Sequence, residues 1–324
     1  MTVLAIARNA FLESIRQPVF AVVLVAGTLA LVFNVNLAAF TLEDDNKLLV
    51  DLGLSTLLLT GLLLAAFTAT SVLAREIENR TVLTVVSKPV SRAAMIVGKY
   101  LGVSAALLVG YWALAVVFLL TVRHRVQAGV RMEDTFDLPV LTFSLLFGGL
   151  ALGFAALMNY LYRRPFPSVF AVSFALCLSL ALGVVWCVDR EWRFQSPLTD
   201  WNPQLLTALG LIFQAILVLA AVSLAASTRL GQIQTLLVSL GGLLLGLVIE
   251  SFLGRIPGGS VTGGLVRFAA GIVPNLQFFW PADALTQGHA ITPAYFATVS
   301  LYAACLILAL ISLAVLMFQH RDVG

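Results

Sequence analysis

Long apolar runs separated by short polar segments dominate the chain. A helix needs about 20 mostly apolar residues to cross the hydrocarbon core of a membrane. Eight runs reach that length, and we expect each to form a spanning helix. They cover roughly residues 18–40, 52–74, 100–122, 139–161, 168–187, 205–227, 233–252 and 298–318. The pattern therefore predicts an all-α fold, a polytopic membrane bundle of about eight transmembrane helices.

The leader, residues 1–17, has the pattern of an amphipathic helix that lies in the membrane interface. At helical spacing, polar and apolar residues fall on different faces: Asn9, Glu13 and Arg16 against Val3, Ala7, Phe11 and Ile15. The alternative is a solvated helical stub.

Three connections have distinctive sequences. A Pro-Phe-Pro-Ser turn between the fourth and fifth runs predicts a tight helical hairpin at 139–187, and the short segment 228–231 predicts a second hairpin. The segment 253–297 is long and rich in glycine and proline, and we place it outside the cytoplasm. Within it, residues 262–273 are too short and interrupted to span, so we expect an interfacial or re-entrant helix; a ninth span is the alternative.

Composition supports a lipid environment. Hydrophobic residues make up 60% of the chain and charged residues only 11%, with a mean hydropathy of +1.00. Soluble domains carry about 25% charged residues. The net charge of +3 is too small and too dispersed for a nucleic-acid-binding surface. Three cysteines without a CxxC pattern indicate neither a disulfide framework nor a metal site.

The distribution of Lys and Arg predicts the orientation, because cytoplasmic loops carry an excess of both. The segment between the second and third runs holds Arg75, Arg80, Lys88, Arg92 and Lys99, whereas the preceding polar segment holds only Lys47. We therefore expect both termini in the cytoplasm.

The stretch 75–102, REIENRTVLTVVSKPVSRAAMIVGKYLG, is the most informative polar segment. Val82, Val85 and Val86 share one face at helical spacing, and Pro89 stops any helix. This pattern predicts a short amphipathic helix near the membrane whose apolar face suits a groove on a soluble partner. The alternative is an ordinary cytoplasmic loop whose positive charges only fix the topology.

This stretch resembles the signature region of type 2 ABC exporter permeases, in particular the branch of nitrous-oxide-reductase maturation and gliding-motility transporters. Residues 223–231 and 273–288 resemble two later features of that family. The shared order is an acidic start, Thr, a hydrophobic patch, Lys-Pro, Ser-Arg and Gly-Lys, here Glu76, Glu78, Thr81, Val85, Val86, Lys88, Pro89, Ser91, Arg92, Gly98 and Lys99.

The resemblance implies a permease subunit of an ATP-driven exporter in the bacterial cytoplasmic (inner) membrane. Residues 76–90 would be the coupling helix, within a coupling segment 75–99, and the partner would be a separate ABC ATPase that binds ATP and magnesium. The permease would need no cofactor and would form a homodimer or pair with a second permease. The family's common form has six spans, so 139–187 would be an added hairpin.

Patterns for catalysis are missing from the sequence. Lys99 follows Gly98, but Tyr100 occupies the Ser/Thr position of a phosphate-binding loop, and the three histidines are isolated. We therefore expect no enzyme activity in this chain. The open alternatives to an ABC permease are a secondary transporter or channel, which would favour ionisable residues in mid-span, and a non-transporting scaffold of an envelope complex.

Polar and small residues inside the runs are candidates for contacts at membrane depth. Asn34 and Gln214 are the candidates for a translocation path, with interhelical hydrogen bonding as the alternative. The glycine pairs Gly149–Gly153 and Gly242–Gly246 fit the GxxxG pattern of close helix packing. We expect this packing to occur within the subunit rather than across a dimer.

Overall fold

The computed structural model describes residues 2–38, 45–78, 91–125, 137–199, 201–253 and 273–319. Its long elements are α-helices, and a 3-10 turn at Gln277–Phe279 precedes the short helix α9. The helices are α1 Thr2–Ile15, α2 Pro18–Ala38, α3 Asp45–Glu78, α4 Arg92–His124, α5 Leu138–Tyr162, α6 Phe166–Trp186, α7 Pro203–Ser227, α8 Gln232–Leu253, α9 Ala282–Thr286 and α10 Pro293–Gln319.

The predicted bundle of eight spans is confirmed. Within the described ranges, α2 to α8 and α10 are long and apolar enough to cross a membrane. The expected interfacial or re-entrant helix at 262–273 lies almost wholly outside the described residues.

Polar residues set the start of several spans by capping the first backbone N–H groups. The hydroxyl of Ser91 accepts from the backbone N–H of Ala94 at 3.2 Å, at the start of α4. The carboxylate of Asp137 accepts from the N–H of Val140 at 3.2 Å, at the start of α5. Asn202 caps α7 in the same way. Apolar runs do not mark these starts, so α4 begins eight residues before the predicted span.

Both predicted tight hairpins are present. Three residues, 163–165, join α5 to α6. Arg163 adopts a left-handed conformation with φ 52°, and its N–H donates to the carbonyl of Met158, which closes the end of α5. Residues 228–231 join α7 to α8. The short connections force the helices of each pair to run antiparallel.

Helix α4 forms the centre of the bundle. In its most apolar stretch, 72% of positions are buried, the largest share of any span. Two tyrosines on α4 donate hydrogen bonds to main-chain carbonyls of α7: Tyr100 to Leu217 at 3.2 Å and Tyr111 to Leu209 at 2.7 Å. The order of these partners shows that α4 and α7 are antiparallel.

The helix at each end of the chain meets the start of α4. Helix α1 packs against Gly98 and Gly102 of α4. A guanidinium nitrogen of Arg92 donates to the carbonyl of Phe318, near the end of α10, at 3.4 Å. The described N-terminal and C-terminal helices therefore approach the same end of the bundle. We call this end the N-terminal side and the opposite end the far side.

Candidate docking site and polar contacts of the spans

The predicted docking residues lie at the end of α3, in residues 79–90 and at the start of α4. Glu76 and Glu78 belong to the last turns of α3, and Arg92 is the first residue of α4. The other predicted docking residues lie outside the described part of the chain: Thr81, Val85, Val86, Lys88 and Pro89. Their role in docking therefore stays a prediction.

Helix α3 is longer than a membrane requires. Its 34 residues span about 51 Å at 1.5 Å per residue, against a hydrocarbon core of about 30 Å. The predicted span covered only the apolar part, 52–74. The helix continues without interruption from this apolar part to Glu78. The segment that follows Glu78 is thus attached directly to a spanning helix.

A buried lysine ties the end of α3 to α4. The side chain of Lys99 is almost fully buried, at 2% exposure, and its Nζ donates to the carbonyl of Val72 at 2.9 Å. A buried ammonium group is unfavourable unless it is hydrogen-bonded, so this contact fixes the lysine in place. One residue earlier on α3, the hydroxyl of Ser71 accepts from the amide of Gln17. The end of α3 is therefore held from two sides.

The leader helix α1 is present, and its predicted apolar face is the packed one. Ala7 and Ile15 of this face are buried, and so is Ala10 beside it. A Cβ added at Gly102 would overlap the carbonyl oxygen of Ala7 and lie 2.6 Å from the Cβ of Ala10. A Cβ at Gly98 would lie 2.8 Å from the side chain of Ile6. Only glycine allows α1 to approach α4 this closely.

A buried ion cluster holds three elements together on the far side. Asp137 is fully buried, and its Oδ2 lies 3.3 Å from Nη1 of Arg123 and 3.5 Å from Nε of Arg190. Arg123 lies in the last turn of α4, Asp137 caps α5, and Arg190 belongs to the connection after α6. Arg123 also donates to the carbonyl of Val188, and Arg190 donates to the carbonyl of His124, each at 3.4 Å. The cluster therefore fixes the hairpin α5–α6 to α4.

The two candidates for a translocation path each bond to a neighbouring span. The amide of Asn34 donates to the hydroxyl of Thr56 at 2.8 Å, which joins α2 to α3. The amide of Gln214 donates to the hydroxyl of Ser300 at 2.8 Å, which joins α7 to α10. The Oε1 atom of Gln214 is buried and has no hydrogen-bond partner among the described residues. Both side chains act as interhelical contacts in this conformation, and their role in a path stays a prediction.

The expectation for the glycine pair of α5 is wrong. A Cβ added at Gly149 or Gly153 would have no other atom of the described ranges within 4 Å, so this pair packs against none of the helices that the structure describes. The reason is rotational: α5 meets α6 through Ala151 and Ala155, and two residues correspond to about 200° around a helix. In the second pair, Gly246 packs against the carbonyl of Pro274, whereas Gly242 is open.

The spans and their connections define a polytopic helical membrane protein. The sequence matches the family described as ABC-2 family transporter protein over residues 24–201, which is more than half of the chain. The chain therefore belongs to the ABC-2 transporter family and is a permease subunit of an ABC transporter. The match runs from α2 through α6 and includes the hairpin at 139–187. No curated protein matches the chain.

Two features of this arrangement escaped the sequence analysis. Gly98 and Gly102 form another GxxxG pair, in the letters GKYLG. Asp137 stands directly before an apolar run, a position typical of a helix cap. Its arginine partners, Arg123 and Arg190, were not predictable, because both belong to other elements and Arg190 lies far from Asp137 in sequence.

Proposed function

We propose that this chain is the permease of an ATP-driven exporter whose ATP is hydrolysed on a separate ABC ATPase. The ATPase docks on residues 76–90, which we call the docking segment. The contacts are Glu76, Glu78, Thr81, Val85, Val86, Lys88, Pro89 and Arg92. Membership of the ABC-2 family supports the class. The observation that carries the docking site is the unbroken helix α3, which joins the docking segment directly to a span.

The contacts around this segment suit the transmission of movement. When the ATPase subunits close, the docking segment moves, and the end of α3 moves with it. Lys99, through its bond to Val72, carries this displacement to the first turns of α4. Gln17, through Ser71, carries it to the turn between α1 and α2. Rigid helices and buried hydrogen bonds transmit displacements better than exposed loops, because close-packed interiors deform little.

The orientation and assembly follow from the same proposal. The docking segment faces the cytoplasm of a bacterium, and both termini lie on that side of the inner membrane. Two permease subunits, either two copies or this chain with a second permease, enclose a path in which Asn34 and Gln214 take part. ATP and Mg²⁺ belong to the partner, and the permease itself catalyses no reaction. The branch of nitrous-oxide-reductase maturation and gliding-motility transporters remains our proposal for the subfamily.

The test is recovery and stimulation of an ATPase. We expect the tagged chain, extracted from its native membranes, to co-purify with a polypeptide that hydrolyses ATP. Reconstitution of the chain with that polypeptide in vesicles should raise its ATP hydrolysis. Val85→Asp should abolish both co-purification and stimulation, because it places a charge on the apolar docking face.

Leu230→Asp is the matched control. It introduces the same charge in the turn between α7 and α8, also on the N-terminal side but outside the docking segment. This variant should retain the ATPase and its stimulation. The proposal is wrong if native membranes yield no ATPase with the chain, or if Val85→Asp and Leu230→Asp behave alike.

A further inference from the structure

A cavity of about 340 Å³ lies on the far side of the bundle, at the ends of α4 and α6 and the start of α7. Two tryptophans form part of its wall: Trp186 and Trp201 meet edge to face, with ring centroids 5.5 Å apart. The proposed docking of an ATPase concerns the opposite end of the molecule. This cavity therefore has no part in the proposed docking of the ATPase.

The polar part of the cavity is cationic. Arg123 and Arg125 both line it, and no carboxylate is among the described residues of its wall. Arg123 is held in place by Asp137 and keeps only 9% of its side chain exposed. Arg125 follows the end of α4 and has a positive φ of 62°. In the ranges that the structure describes, the guanidinium of Arg125 forms no ion pair or hydrogen bond.

The start of α7 adds to this positive potential. Asn202 lines the cavity, and its Oδ1 accepts from the backbone N–H groups of Gln204 and Leu205 at 3.1 and 3.3 Å. The N-terminal end of a helix carries a partial positive charge, which favours anions nearby. An anion in the cavity would thus meet two guanidinium groups and a helix N-terminus.

The other part of the wall is apolar. It consists of aliphatic side chains from the far-side turns of α4 and α7, namely Leu119, Val122, Leu205 and Leu206. A small inorganic anion would gain nothing from these groups. An amphiphile would use both parts, because its apolar portion loses contact with water as its charged end is bound.

We propose that this cavity binds the headgroup of an anionic, phosphate-bearing amphiphile, such as a membrane lipid of net negative charge. The phosphate lies between Arg123 and Arg125, and the adjoining apolar portion lies against the aliphatic wall. Guanidinium groups suit this task, because their N–H donors match phosphate oxygens. Ligand sites range from about 300 to 1,000 Å³. The cavity is at the lower end and fits a headgroup with the first part of its chains.

The test uses the fluorescence of the purified, full-length chain in mixed micelles. Bromine atoms on lipid chains quench nearby tryptophans, so brominated phosphatidylglycerol and brominated phosphatidylcholine are compared at equal amounts. Lipid around the whole protein quenches equally with both headgroups. We expect additional quenching with phosphatidylglycerol, and we expect replacement of Trp186 and Trp201 by Phe to remove it while Trp112, Trp192 and Trp280 remain.

Arg125→Gln is the decisive variant, since its side chain has no described contact that folding would need. It should weaken the preference for phosphatidylglycerol about two- to fivefold, the range for one exposed charge pair. Arg193→Gln is the control: it removes the same charge on the same side, from an exposed residue paired with Glu191 at 3.0 Å. It should leave the preference unchanged.

Three outcomes overturn the proposal. The first is equal quenching by the two lipids, and the second is an equal effect of Arg125→Gln and Arg193→Gln. The third is displacement of brominated phosphatidylglycerol by inorganic phosphate at similar concentrations, which would identify a site for small anions rather than for an amphiphile. The experiment needs no ATPase, so its result is independent of the docking proposal.

Discussion

Helices α4 and α5 are consecutive spans with opposite surroundings. In their most apolar stretches, 72% of the positions of α4 are buried but only 17% of those of α5. Each helix carries a GxxxG pair, Gly98–Gly102 on α4 and Gly149–Gly153 on α5. The first pair receives α1 in close contact, whereas the second faces no other described residue. A glycine pair thus permits close packing, but the position of a neighbouring helix decides whether packing occurs.

The two spans also differ in how they are attached. Helix α4 makes polar contacts with other elements along its length, from the hydrogen bond of Lys99 near its start to the ion pair of Arg123 near its end. Helix α5 has its buried charged contact at its N-cap, Asp137, and otherwise packs on α6 through small residues. We therefore expect α4 to be sensitive to substitution throughout and α5 mainly at its first turn.

The largest loss of stability is expected for Gly102→Leu on α4. A side chain at this position would overlap the main chain of α1 at Ala7, and a helix backbone cannot move aside as a flexible side chain can. Overpacking of a close contact typically costs about 1–3 kcal/mol, and a clash with backbone lies at or above the upper end. Thermal unfolding of the purified chain, followed by tryptophan fluorescence, measures the loss. An unfolding midpoint equal to that of the unmodified chain would show that α1 does not pack on Gly102.

The second-largest loss of stability is expected for Asp137→Asn, at the N-cap of α5. Asparagine can still accept from the N–H of Val140, so the substitution removes the charge and keeps the cap. Arg123 and Arg190 would then lose their buried counter-charge. The cost is about 2–3 kcal/mol, below the 3–5 kcal/mol of a fully buried pair, because Arg190 keeps 30% of its side chain exposed.

Glu191→Gln provides the comparison for this charge effect. Glu191 pairs with Arg193 at 3.0 Å, but both side chains are largely exposed. Such surface pairs contribute about 0–1 kcal/mol. If the unfolding midpoints of Asp137→Asn and Glu191→Gln fell by the same amount, the far-side cluster would not anchor the hairpin.

A smaller effect is expected for Tyr111→Phe on α4. The phenylalanine keeps the ring and its packing but loses the hydrogen bond to the carbonyl of Leu209. Hydrogen bonds between membrane helices contribute about 0.6 kcal/mol on average. Tyr160→Phe on α5 should have no measurable effect, because Tyr160 is 85% exposed. Chemical unfolding that resolves differences below about 0.5 kcal/mol is needed, and equal stabilities of the two variants would contradict the role of Tyr111.

The sequence was sufficient for the number of spans, because an apolar run is a local property. It was less informative about helix ends. Helix α3 continues through the polar residues Arg75 to Glu78, and α4 starts at Arg92, since helical hydrogen bonds do not depend on hydropathy. Lys99 illustrates the limit: its sequence position suggested a charge at the entry of a span, whereas the structure buries it against Val72.

The candidate site was predictable only in part, for a physical reason. The docking segment was recognised from the order of residues along the chain, which is local information. The contacts that support it, between Gln17 and Ser71 and between Arg92 and Phe318, join residues far apart in sequence. Such pairs depend on which faces of the helices meet. Apolar spans have weak periodicity, so the faces cannot be read from the pattern of residues.

The smallest effect is expected for Gly153→Leu on α5, the same chemical change as Gly102→Leu. Among the described residues, a Cβ at Gly153 would meet no other atom within 4 Å, so a leucine there would extend away from the described helices. We expect stability to change by no more than about 0.5 kcal/mol, which is typical of substitutions that break no contact. Thermal unfolding should be measured both in detergent and in native membranes. If Gly153→Leu were destabilising in membranes only, another helix would cover this face there. If it were as destabilising as Gly102→Leu in detergent, the contrast between the two spans would be wrong.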